Sequence, residues 1–451
     1  MQGTIVQYCR PHKIQLVTLG CSKNRVDSEH LLRQMESAGM EIVDPGYVLS
    51  ASSKVDAVIL NTCGFIKDAK EESIEAILAA VDAKVHGYVK YIFVFGCLSQ
   101  RYMDELRAEI PEVDGFFGAF DWDGVLKALG IMKDASLLQQ RYLTTPGHYA
   151  YLKISEGCDR TCSYCAIPKI RGRHISVPME ELLEEARGLA AKGVRELIVI
   201  AQDTTYYGLD LYKRRALGEL LGKLCEIEGI EWIRIHYSYP DSFPDDVLEI
   251  MASNPKICKY LDIPLQHSSS KVLGMMRRSI DGPQTQAVID RIREKVPGVV
   301  LRTTLIVGHP GEDRREFDKL LKFVERNKFD RLGAFTYSEE EGTYGAIHFK
   351  DTVRESTKQS RYDELMELQS GISLAANEER VGDIERVIAD SFTDGVLICR
   401  SQKESPEVDG EILIGDLKGF APEQLIGKFV TAKIVGANEY DLLAEIMEVE
   451  N

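Results

Sequence analysis

The sequence contains no apolar stretch that approaches the roughly 18 consecutive residues a membrane span needs, so we expect no transmembrane segment. Positive charge is also scarce. The 55 Lys and Arg against 71 Asp and Glu leave a formal net charge of −16, which disfavours a general nucleic-acid-binding protein. The opening residues, MQGTIVQYCRPHKIQLV, have no long apolar core behind a basic flank, so we expect no secretory signal and a cytoplasmic protein.

The chain also lacks internal repeats at solenoid periods and low-complexity tracts. A length of 451 residues suggests about three domains. Because ten cysteines occur in a long chain without a secretion signal, reduced thiols or metal ligands are expected rather than a disulfide framework.

Residues 14–130 alternate short apolar runs with amphipathic helical stretches. The runs IQLVTLG, VDAVILN and YIFVFG are rich in branched residues and predict buried strands, with helices at 27–39 and 69–85 between them. Strands that alternate with helices predict a doubly wound parallel sheet. We place this first domain at residues 1–140 and expect residues 133–149 to form a linker.

The alternation resumes in residues 141–370, where six apolar runs predict strand–helix units: AYLKIS, ELIVIA, EWIRIHYS, CKYLDIPL, VVLRTTLIVG and RLGAFTYS. Six units make most of a (β/α) barrel but fewer than the eight that close one. A long polar helix is predicted over 353–380. Residues 371–451 contain strands joined by short Gly and Asp turns, which predicts a small antiparallel β-barrel of the oligomer-binding kind. The predicted fold class is α/β.

The segment SEGCDRTCSYCAIPKIRGR places Cys158, Cys162 and Cys165 in a CxxxCxxC spacing after the first strand of the partial barrel. A structural zinc site and an electron-transfer iron–sulfur cluster each take four ligands. With three cysteines, a 4Fe–4S cluster keeps one iron open for the amino and carboxylate groups of S-adenosylmethionine, whose reductive cleavage supplies radical chemistry. The alternatives are a zinc knuckle with a remote fourth ligand and three incidental thiols.

A second triad is dispersed along the chain. Cys21, Cys63 and Cys97 each follow a predicted strand and each lie beside a glycine. The carboxyl ends of parallel strands meet at one crevice in a doubly wound sheet, so we expect these thiols to meet and to bind a second open-iron cluster. The alternative is buried structural cysteine. The remaining four are interpreted as packing or surface residues: Cys9, Cys225, Cys258 and Cys399.

The motifs LGCSKNRVDSE, NTCGFI, FGCLSQR and EGCDRTCSYCAIPKIRG resemble the radical S-adenosylmethionine methylthiotransferases. The resemblance extends through AQDTTYYG, YLDIPLQHSSSKVLGMMRR and TLIVGHPGE and covers nearly the whole chain. GCSKN and AQDTTYYG are similar to the RimO branch, the ribosomal protein S-twelve methylthiotransferases, whereas the tRNA-modifying branch typically has a GCQMN-like start. Two residues depart from the pattern: Arg25 replaces an aliphatic residue and His309 an aromatic one.

The resemblance implies an N-terminal cluster-binding domain, a partial barrel and a C-terminal TRAM barrel that engages the substrate. The implied reaction replaces a C–H bond by C–S–CH3 on the β-carbon of one aspartate of S-twelve. The cofactors would be S-adenosylmethionine and two 4Fe–4S clusters, and an electron donor such as flavodoxin or ferredoxin would be a partner. The radical-generating cluster would take Cys158, Cys162 and Cys165, and the sulfur-carrying cluster Cys21, Cys63 and Cys97.

Three polar or aromatic residues are candidate cofactor ligands. Tyr164, between two of the cysteines, is expected to stack on adenine; alternatively it fills space in its loop. Gln202 and Asp203 end the second barrel strand, and polar contacts with S-adenosylmethionine are expected. The alternative for Asp203 is helix capping.

Arg171 and Arg173 follow the CxxxCxxC segment. They are candidates for holding the carboxylate of the cofactor or of the substrate aspartate, with a solvated basic loop as the alternative. His267 is expected to be a hydrogen-bonded structural histidine rather than a ligand. The turn GHPGE is a weak signal for close backbone approach.

Two other functions remain open at this stage. One is the same chemistry on an adenosine of tRNA, and the other is a non-catalytic iron–sulfur carrier, which would gain nothing from open irons. The charge of the C-terminal region bears on the first. Residues 371–451 contain 17 Asp and Glu and 7 Lys and Arg, and 17 − 7 leaves a net charge of −10. Such a barrel would repel RNA phosphates but attract a basic ribosomal protein.

Overall fold

The computed structural model describes residues 10–46 and 49–450. The chain divides into two compact units. The first comprises the chain through Thr144 together with Glu156–Arg160 and Cys165–Leu189, and the second comprises Thr145–Ser155, Thr161–Tyr164 and the chain from Ala190.

The first unit is built on a five-stranded sheet in the order β2-β1-β3-β4-β5, with every pairing parallel. This order is doubly wound, and its topological switch point lies between β1 and β3. Its elements are β1 (Lys13–Thr18), α1 (Ser22–Ser37), β2 (Glu41–Val43), β3 (Val55–Thr62), α2 (Lys67–Val85), β4 (Val89–Gly96), α3 (Cys97–Glu109), β5 (Gly115–Phe116) and α4 (Trp122–Ala128).

Alternation of side chains along the buried strands supplies a core on both faces of this sheet. Ile59 and Phe93 face the side covered by α1 and α4, whereas Leu60 and Val94 face the side covered by α2 and α3. The predicted doubly wound sheet is therefore confirmed.

The predicted linker at 133–149 is irregular apart from a 3-10 turn at Ala135–Leu137, but it is anchored. The guanidinium of Arg141 is 1% exposed and forms ion pairs with Glu29 of α1 and with Glu185.

The second unit contains a six-stranded parallel sheet in the order β13-β12-β11-β10-β9-β6. All six predicted barrel strands are present, and sequential neighbours pair as in a barrel that stays open. In chain order the elements between residues 149 and 378 are β6 (Tyr149–Lys153), β7 (Ser155–Glu156), α5 (Ile167–Ile170), β8 (Ile175–Ser176), α6 (Met179–Ala191), β9 (Glu196–Ile200), α7 (Leu217–Cys225), β10 (Trp232–Ile235), α8 (Asp245–Ser253), β11 (Ile257–Asp262), α9 (Ser270–Met275), α10 (Gly282–Lys295), β12 (Val300–Val307), α11 (Arg314–Asn327), β13 (Arg331–Thr336), α12 (Tyr344–His348) and α13 (Glu355–Glu378). Of these, α5, β8 and most of α6 belong to the first unit.

The C-terminal strands close into a small barrel in the order β14-β15-β16-β18-β17. The sequence predicted antiparallel pairing throughout, but β16 and β18 pair in parallel. Because β17 and β18 form a hairpin, β18 runs in the direction of β16 when it closes the barrel. The elements are β14 (Ile384–Thr393), β15 (Val396–Arg400), β16 (Ile412–Ile414), α14 (Pro422–Leu425), β17 (Phe429–Ala437) and β18 (Leu442–Val449).

Within the described residues, none of the helices combines the length and the apolar character that crossing a membrane requires.

Candidate active site

The dispersed cysteines lie at the carboxyl ends of three adjacent strands. Cys21 precedes α1 after β1, Cys63 follows β3, and Cys97 begins α3 directly after β4. Gly20 has φ +88, and an added Cβ there would lie 2.9 Å from the Sγ of Cys63. The position before Cys21 therefore requires glycine, both for its backbone conformation and for its close contact with the side chain of Cys63.

Asn24, in the first turn of α1, connects all three strand ends. Its side-chain amide donates to the backbone oxygens of Leu19 (2.9 Å) and Thr62 (3.2 Å). Its Oδ1 lies 3.8 Å from the Sγ of Cys97. The structure thus assembles the dispersed triad that strand topology predicted.

Burial dominates the electrostatics of these thiols. Burial, with smaller contributions from the neighbouring Cys21 and Cys97, raises the pKa of Cys63 to about 12. Burial also raises the pKa of Cys97, against which the positive charge of Arg171 acts. A bound metal favours the thiolate form and so offsets this penalty, which makes the donor set suitable for a cluster.

Arg171 is the cationic neighbour of this triad. Its side chain is 1% exposed, so the solvated-loop interpretation is wrong for this residue. Its Nε donates to the Sγ of Cys97 (3.3 Å), and its Nη2 donates to Asn24 (2.5 Å) and Asp27 (3.1 Å). Its Nη1 donates to both carboxylate oxygens of Glu156 (2.9 and 3.0 Å).

Cys158, Cys162 and Cys165 lie in one segment of eight residues and are all half-buried. In the first unit, the backbone N–H of Cys158 donates to the carbonyl of Gly172 (3.1 Å). Gly157 has φ +69, and an added Cβ would lie 2.0 Å from the carbonyl oxygen of Arg173. The segment is therefore held tightly against residues 172–173.

In the second unit, Arg278 approaches the middle cysteine. Its Nη1 lies 3.8 Å from the Sγ of Cys162 and 3.4 Å from the Oη of Tyr164, and its Nη2 donates to the carbonyl of Pro264 (2.7 Å). The guanidinium also stacks over Tyr239 at 4.0 Å. None of these partners is a carboxylate. Sequence reasoning missed Arg278, because arginine at the end of GMMRR carries no spacing signal.

Across residues 10–46 and 49–450, no three His, Cys, Asp or Glu side chains converge as ligands of a single metal ion. A 4Fe–4S cluster takes its thiolates on different iron atoms, so its ligands need not converge on one point.

The other candidate cofactor residues have mixed outcomes. The Asp203 carboxylate accepts from the N–H (3.0 Å) and the hydroxyl (2.6 Å) of Thr205, which is the capping arrangement. Gln202 is half-buried at the end of β9, and Tyr164 is half-buried in its loop. A contact between any of the three and S-adenosylmethionine stays a prediction.

His267 is confirmed as a structural histidine. Its Nδ1 accepts from the N–H of Ser269 (2.9 Å), so its Nε2 donates to Glu312 (3.1 Å). Arg173, by contrast, has a side chain 88% exposed and lies 3.4 Å from Asp159, so the solvated interpretation is confirmed there.

The structure also locates the cysteines outside both triads and the two departures from the family pattern. Cys225, Cys258 and Cys399 are buried, as predicted for packing residues, and Cys9 lies outside the described residues. Arg25 is half-buried in α1. His309 is fully buried, and its ring packs edge-on against Tyr337 at 4.9 Å.

Three family profiles match consecutive parts of the chain. The Uncharacterized protein family UPF0004 matches residues 13–118, the Radical SAM superfamily residues 152–324, and the TRAM domain residues 381–447. These ranges overlap the parallel sheet that carries the dispersed triad, the open barrel up to α11, and the closed C-terminal barrel.

Full-length relatives decide the family. The ribosomal protein uS12 methylthiotransferase RimO of Cytophaga hutchinsonii is 50% identical over 436 residues, covering 97% of this chain and 98% of the relative. The proteins of the same name from Bacteroides fragilis (49%, 96% of this chain and 99% of the relative) and Porphyromonas gingivalis (50%, 97% and 100%) match similarly. The chain belongs to the RimO family.

Solved structures support the fold. The chain superposes on the radical S-adenosylmethionine methyltransferase TsrM from Kitasatospora setae with a TM-score of 0.55 at 12% identity, covering 91% of this chain and 80% of that chain. The cobalamin-dependent S-adenosylmethionine radical enzyme OxsB gives 0.50 at 16% identity, covering 80% and 56%. The RimO-family chain thus has the α/β architecture that its sequence predicted.

Proposed function

We propose that this protein transfers a methylthio group to the β-carbon of an aspartate of ribosomal protein uS12 by radical S-adenosylmethionine chemistry. The observation that carries the proposal is about 50% identity to uS12 methylthiotransferases over nearly the whole of both chains. A ribosomal substrate implies a cytoplasmic enzyme. The same chemistry on tRNA is not favoured, because the relatives that match over nearly the full length are named for uS12.

The cofactors are S-adenosylmethionine and 4Fe–4S clusters. Together they supply hydrogen-atom abstraction, which an unactivated C–H bond requires because no base can remove its proton. We assign one cluster to Cys158, Cys162 and Cys165, whose three thiols leave one iron open. We assign the other to Cys21, Cys63 and Cys97.

The protein holds these ligands in two different ways. The backbone contact between Cys158 and Gly172 (3.1 Å) fixes the start of the CxxxCxxC segment. The amide of Asn24 fixes the strand ends that present the dispersed triad. Cys63 and Cys97 are buried, which shields these two thiols from water.

We further propose a division of labour among three domains. Residues 1–140 carry sulfur, residues 141–370 generate the radical, and residues 371–451 engage uS12. An electron donor such as flavodoxin or ferredoxin completes the system.

The acidic C-terminal barrel supports uS12 over RNA, but part of its charge is used internally. Glu404 forms an ion pair with Arg331 (3.0 Å), and the carboxylate of Asp409 accepts from the hydroxyl of Tyr260 (2.6 Å). Since these bonds join the closed C-terminal barrel to strands of the open barrel, binding of uS12 is best tested on the full chain. Exposed acids that remain for a basic partner include Glu423, Glu439, Glu445 and Glu448.

The test is modification of purified uS12 by anaerobically reconstituted protein with S-adenosylmethionine, a sulfide source and a reductant. We expect one methylthio group in place of one hydrogen on a single aspartate, located by peptide mass spectrometry. Full-length tRNA in a parallel reaction, digested to nucleosides, is the control and should remain unmodified. Methylthiolated adenosine with unmodified uS12 would overturn the assignment.

A further inference from the structure

A single arginine joins the two cysteine-bearing segments of the first unit. Arg171 follows α5, immediately after the CxxxCxxC segment, and its Nε donates to the Sγ of Cys97 (3.3 Å). Ala166 and Ile170 of the same segment pack against Cys97 in one apolar cluster. The residues that follow the contiguous triad thus form one wall of the dispersed triad.

The same stretch also fixes the contiguous triad. The carbonyl of Gly172 accepts from the N–H of Cys158 (3.1 Å), and the Nη1 of Arg171 holds Glu156, two residues before that cysteine. Arg171 and its neighbour therefore bind the backbone that presents Cys158 and the thiol of Cys97 together.

The charges around Arg171 explain why it stays in place. Asp27 and Glu156 both form ion pairs with it, at 3.1 and 2.9 Å, and the buried Asp27 depends on this cation. Nε, Nη1 and Nη2 all have acceptors. The geometry therefore does not favour the predicted role of Arg171 in holding a cofactor or substrate carboxylate.

We propose that Arg171 is a positioning residue that sets the reduction potential of the cluster on Cys21, Cys63 and Cys97. This inference rests on the proposed function, in which Cys97 is a cluster ligand. A positive charge and an N–H donor at a ligand sulfur stabilise the reduced, more negative cluster and raise its potential. The donor comes from the segment of the other triad, so the two sites share one structural element.

The test uses the full chain with Cys158, Cys162 and Cys165 replaced by Ala, which retains only the cluster on the dispersed triad. Its potential is measured by redox titration monitored by electron paramagnetic resonance. We expect Arg171→Met to lower the reduction potential by about 59 mV, which for a one-electron couple favours the oxidised cluster by about tenfold. Arg171→Lys keeps a charge but loses the fork of donors, and we expect a smaller shift in the same direction.

Arg141→Met is the matched control, because Arg141 is equally buried and forms ion pairs with Glu29 and Glu185, whereas the Nε of Arg171 donates to a cysteine sulfur. Its potential should equal that of the parent. Should Arg171→Met not retain a cluster, the variant R171M/D27N/E156Q also neutralises the two carboxylates that lose their ion pair with Arg171, and Arg171→Lys gives a second reading.

Equal potentials in the parent and in the Arg171 variants would overturn the inference, as would the same shift from Arg141→Met. If the triple Ala parent binds no iron, the assignment of Cys21, Cys63 and Cys97 as cluster ligands is overturned as well. This outcome is distinguishable because it is seen before Arg171 is changed.

Discussion

The two cysteine triads differ in how the chain assembles them. Cys158, Cys162 and Cys165 are brought together by eight residues of continuous chain. The dispersed triad depends on the parallel pairing of β1, β3 and β4, which brings the carboxyl ends of these strands to one edge of the sheet. The first triad is local and half-buried, whereas two cysteines of the second are buried and depend on the fold.

This difference implies that the triads respond differently to damage. A local loop tolerates changes elsewhere, because few residues separate its ligands. A site at a topological switch point requires the register of every strand that reaches it. The arginine beside each triad also differs in its partners. The charge of Arg171 is neutralised by two carboxylates, whereas Arg278 contacts thiol, hydroxyl and carbonyl groups and an aromatic ring.

The largest expected effect comes from removing each triad in turn. Replacement of Cys158, Cys162 and Cys165 by Ala should leave about half of the iron and abolish cleavage of S-adenosylmethionine, because this triad carries the open iron of the radical site. Replacement of Cys21, Cys63 and Cys97 should also halve the iron but retain cleavage to 5′-deoxyadenosine. Iron analysis and chromatography of the nucleoside products measure both.

The matched control is the triple Ala variant of Cys225, Cys258 and Cys399, buried cysteines outside both triads. It should retain full iron. Full iron in the C21A/C63A/C97A variant would show that the strand-end thiols do not bind a cluster.

The second effect concerns the backbone of the contiguous triad. Gly157 and Gly172 both have positive φ (+69 and +72), but an added Cβ meets the Arg173 oxygen at 2.0 Å only in the first case. Both Ala variants incur roughly 1–2 kcal/mol of backbone strain. Gly157→Ala should lose roughly 1–3 kcal/mol more through overpacking and should lose the iron of its own triad. Urea unfolding and iron content compare the two, and equal losses would contradict the tight contact.

The dispersed triad offers a parallel pair with a smaller effect. Gly20 and Gly39 have φ of +88 and +82, and an added Cβ meets the Cβ of Cys63 at 2.6 Å in Gly20 but nothing within 4 Å in Gly39. Gly20→Ala should displace Cys63 and lower iron occupancy of this triad alone, with S-adenosylmethionine cleavage retained. Gly39→Ala should leave both iron sites intact. Equal iron content in the two variants would show that the contact tolerates a methyl group.

Most of the fold was predictable because buried parallel strands can be recognised in the sequence as continuous apolar runs. All three predicted strands of the first sheet and all six of the second occur within a few residues of their expected bounds. The parallel pairing of β16 with β18 was not predictable, because local turn signals do not specify which distant strand closes a barrel.

The site was predictable only where its residues carry a signal of their own. CxxxCxxC is a spacing, and Cys21, Cys63 and Cys97 share a position after a strand. The partners of Arg171 are 15 to 147 residues away in sequence, and those of Arg278 lie up to 116 residues away. Such contacts arise from tertiary packing and leave no local pattern.

The smallest expected effect is a pH dependence that belongs to the barrel region and not to the sheet of the dispersed triad. His309 is fully buried beside Tyr337, and burial lowers its pKa from 6.5 to about 4. The titratable side chains that act electrostatically on His309 are His267, Glu312 and Asp351.

Because the unfolded chain takes up a proton on His309 near pH 6.5 and the folded chain does not, its contribution to stability is present above that pH. It is lost as the pH falls through 4, by at most ~3.5 kcal/mol at about 1.4 kcal/mol per pKa unit. Phe retains the edge-on ring contact without a titrating group, so His309→Phe should flatten this part of the pH profile. Urea unfolding of the apo full-length chain between pH 7 and pH 4.5 measures the difference, in which the other titrating groups cancel. His86→Gln, at the exposed end of α2 in the first unit, is the control and should retain the wild-type slope. Parallel profiles for wild type and His309→Phe would show that the imidazole takes up its proton at the same pH in the folded and the unfolded chain.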